Sequence, residues 1–335
     1  MDKLTKTKVA GIPQGFQEIS ITIEGVTINY VVGPDNGLPL LLIPGQIESW
    51  QGYKCVLPEL SKRFHIFVPD LRGHGKSTWT PGQYSYNTCG NDLKCFIQGV
   101  IQQPTLVAGL SSGGVLTIWL AAHAPEDILA NISEDPPIFS SIWPRIQNEK
   151  FMANNFRLAV YILGKPGERD VERYLSQVGI PVEWKTELLF IPPFIIKIIF
   201  FIARINRAVR PNNPYDSPFL PFNMRAGHKF LSEYDTDFSR ATLDGDLSKD
   251  FSPDEALKQV KCPMLLMQAD AYRHETWGLV GAIDDKDLEQ IVSLVDDLQC
   301  VQISGGHEIH MVQPQRYIDE IIKFVDNLRD EDRIP

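Results

Sequence analysis

Short, unbroken runs of apolar residues, each ending at a turn signal, recur along this chain of 335 residues. One of them, Leu38–Ile43, stops at Pro44-Gly45. Runs without polar alternation are typical of strands that are buried on both faces of a parallel sheet. The others lie at His65–Val68, Thr105–Leu110, Ile128–Ile132, Met264–Met267 and Cys300–Ile303.

Segments with helical periodicity separate these runs. In each, apolar residues recur three or four positions apart, as on one face of an amphipathic helix. They are Ser49–Lys62, Thr88–Ile101, Gly113–His123 and Gln313–Leu328. Two alternating strands, Gln17–Ile23 and Val26–Val32, precede them. This order predicts an α/β fold with a mostly parallel, twisted sheet, helices on both faces, and any site at the carboxyl ends of the strands.

The alternation of strands and helices breaks between residues 138 and 254, a helix-rich stretch punctuated by proline. We interpret this stretch as a helical lid inserted into one sheet domain, so that the core comprises residues 1–137 and 255–335. Strand and helix signals resume at Val260.

The most apolar segment of the insertion is Leu188–Ile205. Lys197 inside this run and the pair Pro192-Pro193 disfavour a membrane-spanning helix. We therefore expect a helix that starts at Pro193, runs through Val209 and is buried against the substrate cavity. Contact between the subunits of a homodimer and contact with a membrane surface remain alternatives, and the membrane is the less favoured of the two.

Composition excludes some functions and favours a location. The net charge of −10 and the pI of about 5.2 disfavour nucleic acid as a partner, because phosphate binding needs a basic face. The five cysteines are dispersed, without a CxxC pair, as in proteins with reduced thiols. The first residues lack the apolar stretch of a signal peptide. We expect a cytoplasmic protein.

The segment TLVAGLSSGG, residues 105–114, is a buried strand that runs straight into a helix. Its pattern Gly109-x-Ser111-x-Gly113 permits a sharp turn that lifts a serine above the sheet at a helix amino terminus, where negative charge is stabilised. The sequence therefore predicts Ser111 as a nucleophile. The alternative is a serine that only caps the helix. The backbone N–H of Ser112 is a candidate oxyanion donor.

With this pattern the chain resembles the α/β-hydrolase superfamily, in its serine hydrolase branch, from about residue 17 to residue 328. Leu40–Gly45 resembles the third strand of the family and its oxyanion loop, with Pro44-Gly45 where His-Gly is usual. The resemblance implies that the N–H of Gln46 is the second oxyanion donor. Asp70–Ser77 resembles the D-x-R-G-x-G-x-S loop of the family, in which we interpret His74 as structural.

The same resemblance implies a histidine base after the last strand, because a serine hydroxyl needs a base within hydrogen-bond reach. His307 follows Gly305-Gly306 at that place. His310 lies three residues further along, and we expect it to line the pocket or to anchor the loop.

The third member, the acid that orients the histidine, has two candidate places. After strand seven the family pattern is Gly-x-x-Asp, but this chain has Tyr272 where the acid should be and Asp270 two positions earlier. After strand six, Asp135 lies twenty-four residues past Ser111. That placement resembles haloalkane dehalogenases and fungal zearalenone lactonases. We predict Asp135 as the acid, with Asp270 and then Glu134 as alternatives.

The resemblance implies a serine hydrolase of the carboxylesterase or lactonase type that needs no metal or organic cofactor. Dehalogenases and epoxide hydrolases use aspartate where this chain has Ser111. The apolar character of the lid favours a bulky hydrophobic substrate, an ester or a lactone. The aromatic residues on which this expectation rests are Phe194, Phe200, Phe201, Trp143 and Trp184. An amidase, a carbon–carbon bond hydrolase, a cofactor-free haloperoxidase and a non-catalytic small-molecule receptor remain alternatives.

Overall fold

The computed structural model describes residues 11–164, 170–183, 185–210, 220 and 222–335. Its described part is organised around an eight-stranded sheet with the order β1-β2-β4-β3-β5-β6-β9-β12. The strands are β1 (Gln17–Ile23), β2 (Val26–Val32), β3 (Pro39–Ile43), β4 (His65–Pro69), β5 (Thr105–Leu110), β6 (Ile128–Glu134), β9 (Met264–Gln268) and β12 (Leu298–Gln302). Within this sheet, the pairs β1/β2 and β2/β4 are antiparallel, and the other neighbouring strands are parallel.

Helices accompany the sheet along the chain. Those outside the insertion are α1 (Leu57–Leu60), α2 (Tyr86–Phe96), α3 (Ser112–His123), α9 (Pro253–Gln259), α10 (Asp285–Leu294), α11 (Ile309–Val312) and α12 (Pro314–Asp330). Consecutive residues of β3 point to opposite apolar clusters: Leu41 and Ile43 join one, and Leu40 and Leu42 join the other. The strand is therefore buried on both faces, as its unbroken apolar run predicts. The predicted fold class is confirmed.

The prediction of one continuous helix over Ser49–Lys62 is wrong. The segment Ser49–Lys62 forms a 3₁₀ helix at Trp50–Cys55 and then the short helix α1. Pro58 lies in the first turn of α1, where its missing N–H is tolerated. A continuous helix through this position would lose a hydrogen bond and clash with the preceding turn, so the helix restarts there.

Within the described residues, the predicted insertion between β6 and β9 contains helices and a short hairpin. Its helices are α4 (Lys150–Leu158), α5 (Val171–Gln177), α6 (Pro193–Val209), α7 (Phe222–Ser232) and α8 (Asp237–Asp244), and its hairpin pairs β7 (Gly179–Ile180) with β8 (Leu189–Phe190). The hairpin of β10 (Tyr272–His274) and β11 (Gly278–Val280) follows β9. Trp184 lies outside the described residues.

Helix α6 has the predicted bounds, but the prediction that it is buried is wrong for its outer face. Ile196 and Phe200 are buried, whereas Phe194 and Phe201 are exposed. The apolar residues of this run therefore lie on both a buried and an exposed face of one helix, and hydropathy alone does not distinguish the two faces. Within the described ranges, no helix is both long and apolar enough to span a bilayer.

Candidate active site

Strand β5 ends at Leu110 and helix α3 begins at Ser112, so Ser111 alone makes the turn between them. Its backbone has φ 55° and ψ −121°, a conformation that residues with a side chain rarely adopt. The Ser111 N–H donates to the carbonyl of Glu134 at 2.8 Å, which fixes the turn to the end of β6. The predicted strand, turn and helix are all present around Ser111.

The two flanking glycines are required by contact distance. A methyl group on Gly109 would lie 2.4 Å from the carbonyl oxygen of Gly113. A methyl group on Gly113 would lie 2.3 Å from the carbonyl oxygen of Ile43. Both distances are well inside van der Waals contact with backbone, which cannot move aside. The pattern that predicts the turn therefore also packs helix α3 onto strands β3 and β5.

The loop after β3 passes directly beside Ser111, because a methyl group on Gly45 would lie 3.3 Å from the Cβ of Ser111. The next residue, Gln46, is thereby placed near the nucleophile candidate. Ile47 then has φ 81°, an outlier for a β-branched residue. Strain of this kind persists only where the surrounding structure imposes it.

The side chain of Gln46 holds this loop against the insertion. Its Nε2 donates to the hydroxyl of Tyr234 at 2.9 Å and to Oγ of Ser239 at 3.1 Å. Thr242 donates to its Oε1 at 3.4 Å. From the sequence only the backbone N–H of Gln46 has a predicted role, and the spacing of nearly two hundred residues to its partners gives no local signal.

Asp135 and His307 lie together at the carboxyl edge of the sheet. Nδ1 of His307 donates to Oδ2 of Asp135 at 2.7 Å, and the N–H of Ala269 donates to Oδ1 at 3.3 Å. Asp135 is fully buried and has φ 42°, so the chain turns sharply as it leaves β6. The imidazole of His307 is 33% exposed. Its Nε2 is therefore free of the acid and able to serve a substrate.

The alternative acid, Asp270, has a different partner. Its Oδ2 accepts the N–H of Gly305 at 2.9 Å, two residues before His307. Asp270 is exposed. Its carboxylate fixes the loop that carries His307 rather than the imidazole itself.

The other alternative, Glu134, pairs with the second histidine of this loop. Its Oε1 accepts the backbone N–H of His310 at 2.8 Å, and both carboxylate oxygens lie 3.0 Å from Nδ1 of His310. Both side chains are completely buried. The ring of His310 stacks on Tyr53 with 4.3 Å between ring centroids. His310 thus anchors the loop, one of its two predicted roles.

Charge around His307 favours its protonated form. Burial lowers the pKa of the imidazole, but the hydrogen bond and charge of Asp135, with the charges of Glu308 and Glu134, outweigh it and raise the pKa to about 9. Burial lowers the pKa of His310 in the same way, and the charge and hydrogen bond of Glu134 reverse the effect and raise it.

A further buried carboxyl group, Glu48, lies in the same region. Its Oε2 has no hydrogen-bond partner within the described residues. Burial raises the pKa of Glu48 to about 8, so this side chain is mostly neutral at pH 7. It adds little negative charge beside the two histidines. No sequence motif singles it out.

The hydroxyl of Ser111 makes no hydrogen bond to His307 within the part of the chain that the structure describes. In the absence of substrate such catalytic hydrogen bonds are often long or poorly aligned. Neither do the described residues hold three or more His, Cys, Asp or Glu side chains in a metal-binding cluster.

The motif Asp70–Ser77 forms a support for the loop after β3. The carboxylate of Asp70 accepts the N–H of Trp50 at 2.8 Å and that of Lys76 at 3.0 Å. His74 is completely buried, its Nδ1 lies 2.9 Å from the carbonyl oxygen of Arg72, and burial lowers its pKa to about 4. These contacts agree with the structural interpretation of His74.

Comparisons with known proteins place this architecture in a class. A family model described as alpha/beta hydrolase fold matches residues 39–166. The chain is 35% identical over 94 residues to the magnesium-chelatase 30 kDa subunit of Rhodobacter capsulatus, covering 28% of this chain and 33% of that protein. It is 31% identical over 123 residues to the AB hydrolase superfamily protein YisY of Bacillus subtilis, covering 36% and 46%.

The fold extends beyond these local matches. The solved structure of carboxylesterase CesB from Bacillus subtilis superimposes with a TM-score of 0.66 at 16% identity, over 93% of this chain and 92% of that one. The matches to the two curated relatives span less than half of each relative's length. The sheet order, the turn at Ser111 and these similarities define an α/β-hydrolase fold. The sequence similarity to this family lies in residues 39–166, and the similarity of fold covers most of the chain.

Proposed function

We propose that this protein is a serine hydrolase that cleaves a carboxylic ester or lactone through an acyl-enzyme on Ser111. The observation that carries the proposal is the 2.7 Å hydrogen bond between His307 and the buried Asp135. It joins a loop histidine to an acid at the sheet edge where Ser111 occupies the strained turn. A nucleophile, a base and an orienting acid are the three groups that a Ser-His-Asp hydrolase uses for this chemistry.

In the proposed mechanism, Nε2 of His307 removes the hydroxyl proton of Ser111 as Oγ attacks the acyl carbon. Asp135 holds the imidazole in the tautomer that leaves Nε2 free to accept a proton, and it stabilises the imidazolium that forms. His307 then protonates the leaving alcohol oxygen. In the second half, His307 takes a proton from water as its oxygen attacks the acyl carbon. The bond from that carbon to Oγ of Ser111 then breaks, His307 returns the proton to Oγ, and the acid leaves.

The negative charge of the tetrahedral intermediate needs preorganised donors. We assign this role to the backbone N–H groups of Gln46 and Ser112. Gly45 is close to Ser111, and the side chain of Gln46 is fixed by Tyr234 and Ser239, so the loop is held in place before substrate binds. Ser112 begins helix α3, whose amino-terminal dipole favours negative charge.

We further propose a bulky hydrophobic acyl substrate, with lactones preferred. Apolar residues of the insertion, among them Ile196, Phe200 and Leu231, form a cluster against which Ile47 packs. Ile47 follows Gln46, so this cluster lies on the insertion side of the oxyanion loop. An apolar wall there favours a substrate with a large nonpolar group.

The direct test is hydrolysis of a panel of esters and lactones of increasing size by the wild type and by Ser111→Ala. The wild type should show turnover that Ser111→Ala lacks, with folding of both checked by circular dichroism. Ser293→Ala on the exposed face of α10 is the control for removing a hydroxyl. Turnover that survives in Ser111→Ala would overturn the assignment of the nucleophile. Substrate binding without any turnover by the wild type would instead indicate a receptor.

A further inference from the structure

The outer face of helix α6 (Pro193–Val209) carries a continuous row of exposed apolar side chains. Phe194, Ile198, Phe201 and Ile205 are 64%, 54%, 58% and 49% exposed. Their spacing of four, three and four residues places them along one side of the helix. A contiguous row of exposed apolar side chains on a globular protein marks an interaction surface, whereas single exposed apolar residues are ordinary.

The opposite face of the same helix already satisfies the packing of the insertion. Ile196, Phe200 and Ala203 are buried, and the first two belong to the apolar cluster that contacts Ile47. A surface helix that only covers a core needs one apolar face. Packing within the insertion therefore does not explain why α6 has a second apolar face.

The hairpin that precedes α6 in the chain also exposes apolar side chains. Strand β8 leads into α6, and its residues Leu189 and Phe190 are 53% and 48% exposed. Ile180, paired with Leu189 across the hairpin, is 52% exposed. We call these residues and the row on α6 the outer apolar face.

The charges on α6 are all of one sign. The helix contains Lys197, Arg204 and Arg207, all exposed, and no acidic residue, although the whole chain has a net charge of −10. Lys197 and Arg204 each follow a phenylalanine of the row by three residues and so lie beside it. Arg204 also pairs with Glu172 at 3.1 Å.

Such a face suits an anionic, apolar partner. Packing against a second copy of the same face would bring like charges together, which opposes association. A bilayer that contains anionic phospholipids would accept the phenylalanines between its headgroups, and the long basic side chains would reach the phosphates. We propose that the outer apolar face of α6 binds the surface of an anionic phospholipid bilayer without crossing it.

The proposal does not depend on the chemistry assigned to Ser111. If both hold, the bound bilayer lies against the helix whose inner face packs near Ile47, beside the oxyanion loop. Hydrophobic esters dissolved in the lipid would then meet the insertion directly.

The test is co-sedimentation with vesicles of phosphatidylcholine alone and of phosphatidylcholine mixed with phosphatidylserine. The wild type should bind the mixed vesicles more strongly, and added salt should weaken this binding. The double variant Phe194→Ser, Phe201→Ser should lose about tenfold or more in partitioning, because two exposed aromatic side chains no longer enter the lipid. Val292→Ser, which changes an exposed apolar residue of α10, should bind like the wild type.

Three further arms separate the alternatives. Ser111→Ala should bind vesicles like the wild type, so a failed hydrolase assignment leaves this result intact. Lys197→Glu with Arg207→Glu should weaken binding to the anionic vesicles in particular. The proposal is overturned if the wild type binds neither vesicle type, if the phenylalanine variant binds as well as Val292→Ser, or if light scattering shows a dimer that the phenylalanine variant dissociates.

Discussion

Two carboxylate–histidine pairs lie side by side at the end of β6, and they differ in access to solvent. Asp135 and His307 form one pair, in which the imidazole is 33% exposed. Glu134 and His310 form the other, and neither side chain is exposed at all. The acids are consecutive in the chain, and the φ of 42° at Asp135 marks a sharp turn where the chain leaves β6.

The difference in solvent access indicates different roles for the two carboxylate–histidine pairs. An imidazole that transfers protons needs one ring nitrogen accessible to substrate, which only His307 offers. A buried imidazole whose Nδ1 and backbone N–H both meet one carboxylate is suited to hold a loop in place. We therefore assign proton transfer to the first pair and support of the loop to the second.

Removal of each imidazole in turn should separate the roles of the two pairs most clearly. His307→Ala should lower kcat by about 10⁴- to 10⁶-fold with the fold intact, because nucleophile and base act as a unit. The measurement is steady-state kinetics on a small soluble ester. A smaller loss for His307→Ala than for a folded His310→Ala would show that the roles are reversed.

The choice of acid gives the next largest effect. Asp135→Asn should lower kcat by about 10⁴-fold, because the amide no longer selects the useful tautomer of His307. Asp270→Asn serves as the matched variant and should cost far less, since among the described residues its carboxylate accepts the N–H of Gly305 and no hydrogen bond from an imidazole. A large loss in Asp270→Asn beside a small one in Asp135→Asn would contradict our assignment.

The loss of unfolding free energy should be larger for His310→Ala than for His307→Ala, opposite to the order of their losses in kcat. His310→Ala leaves the carboxylate of Glu134 buried without its partner ring, which costs on the order of 3–5 kcal/mol of unfolding free energy. His307→Ala should cost less, because its ring is partly exposed and Asp135 keeps the N–H of Ala269. Urea unfolding of both variants measures this difference, and equal losses would remove the distinction between the pairs.

The smallest effect concerns pH. The pKa of His307 is raised from 6.5 to about 9, so its ion pair with Asp135 stabilises the fold fully below about pH 6.5 and fades as the pH rises through 9. Activity needs neutral imidazole, so kcat/KM should instead rise with pH towards about 9. Asp135→Asn should move that rise to lower pH in its residual activity. An unchanged profile would show that another group titrates.

Much of this site could be predicted from the sequence, because its signals are local. The strand, the glycines and Ser111 lie within ten residues, and sterics alone dictate their conformation. His307 could be proposed because it follows the last strand, where the resemblance to the α/β-hydrolase family implies a histidine base. Asp135 could be preferred because parallel strands end at one edge of the sheet.

What the sequence did not reveal depends on contacts between distant segments. The pairing of Glu134 with His310 spans 176 residues and requires the register of β6 against the final loop. The hold on Gln46 by Tyr234 and Ser239 is similarly remote. The exposure of Phe194 on α6 could not be read from hydropathy, because a buried and an exposed apolar face have the same composition.

The proposed function requires Ser111 to be an activated nucleophile, and labelling with a fluorophosphonate probe is the decisive test. The folded wild type should be labelled at one site, mapped to Ser111 by peptide mass spectrometry. Labelling should be absent in Ser111→Ala and slowed strongly in His307→Ala. A folded wild type that does not react, or a label on another residue, would contradict the account.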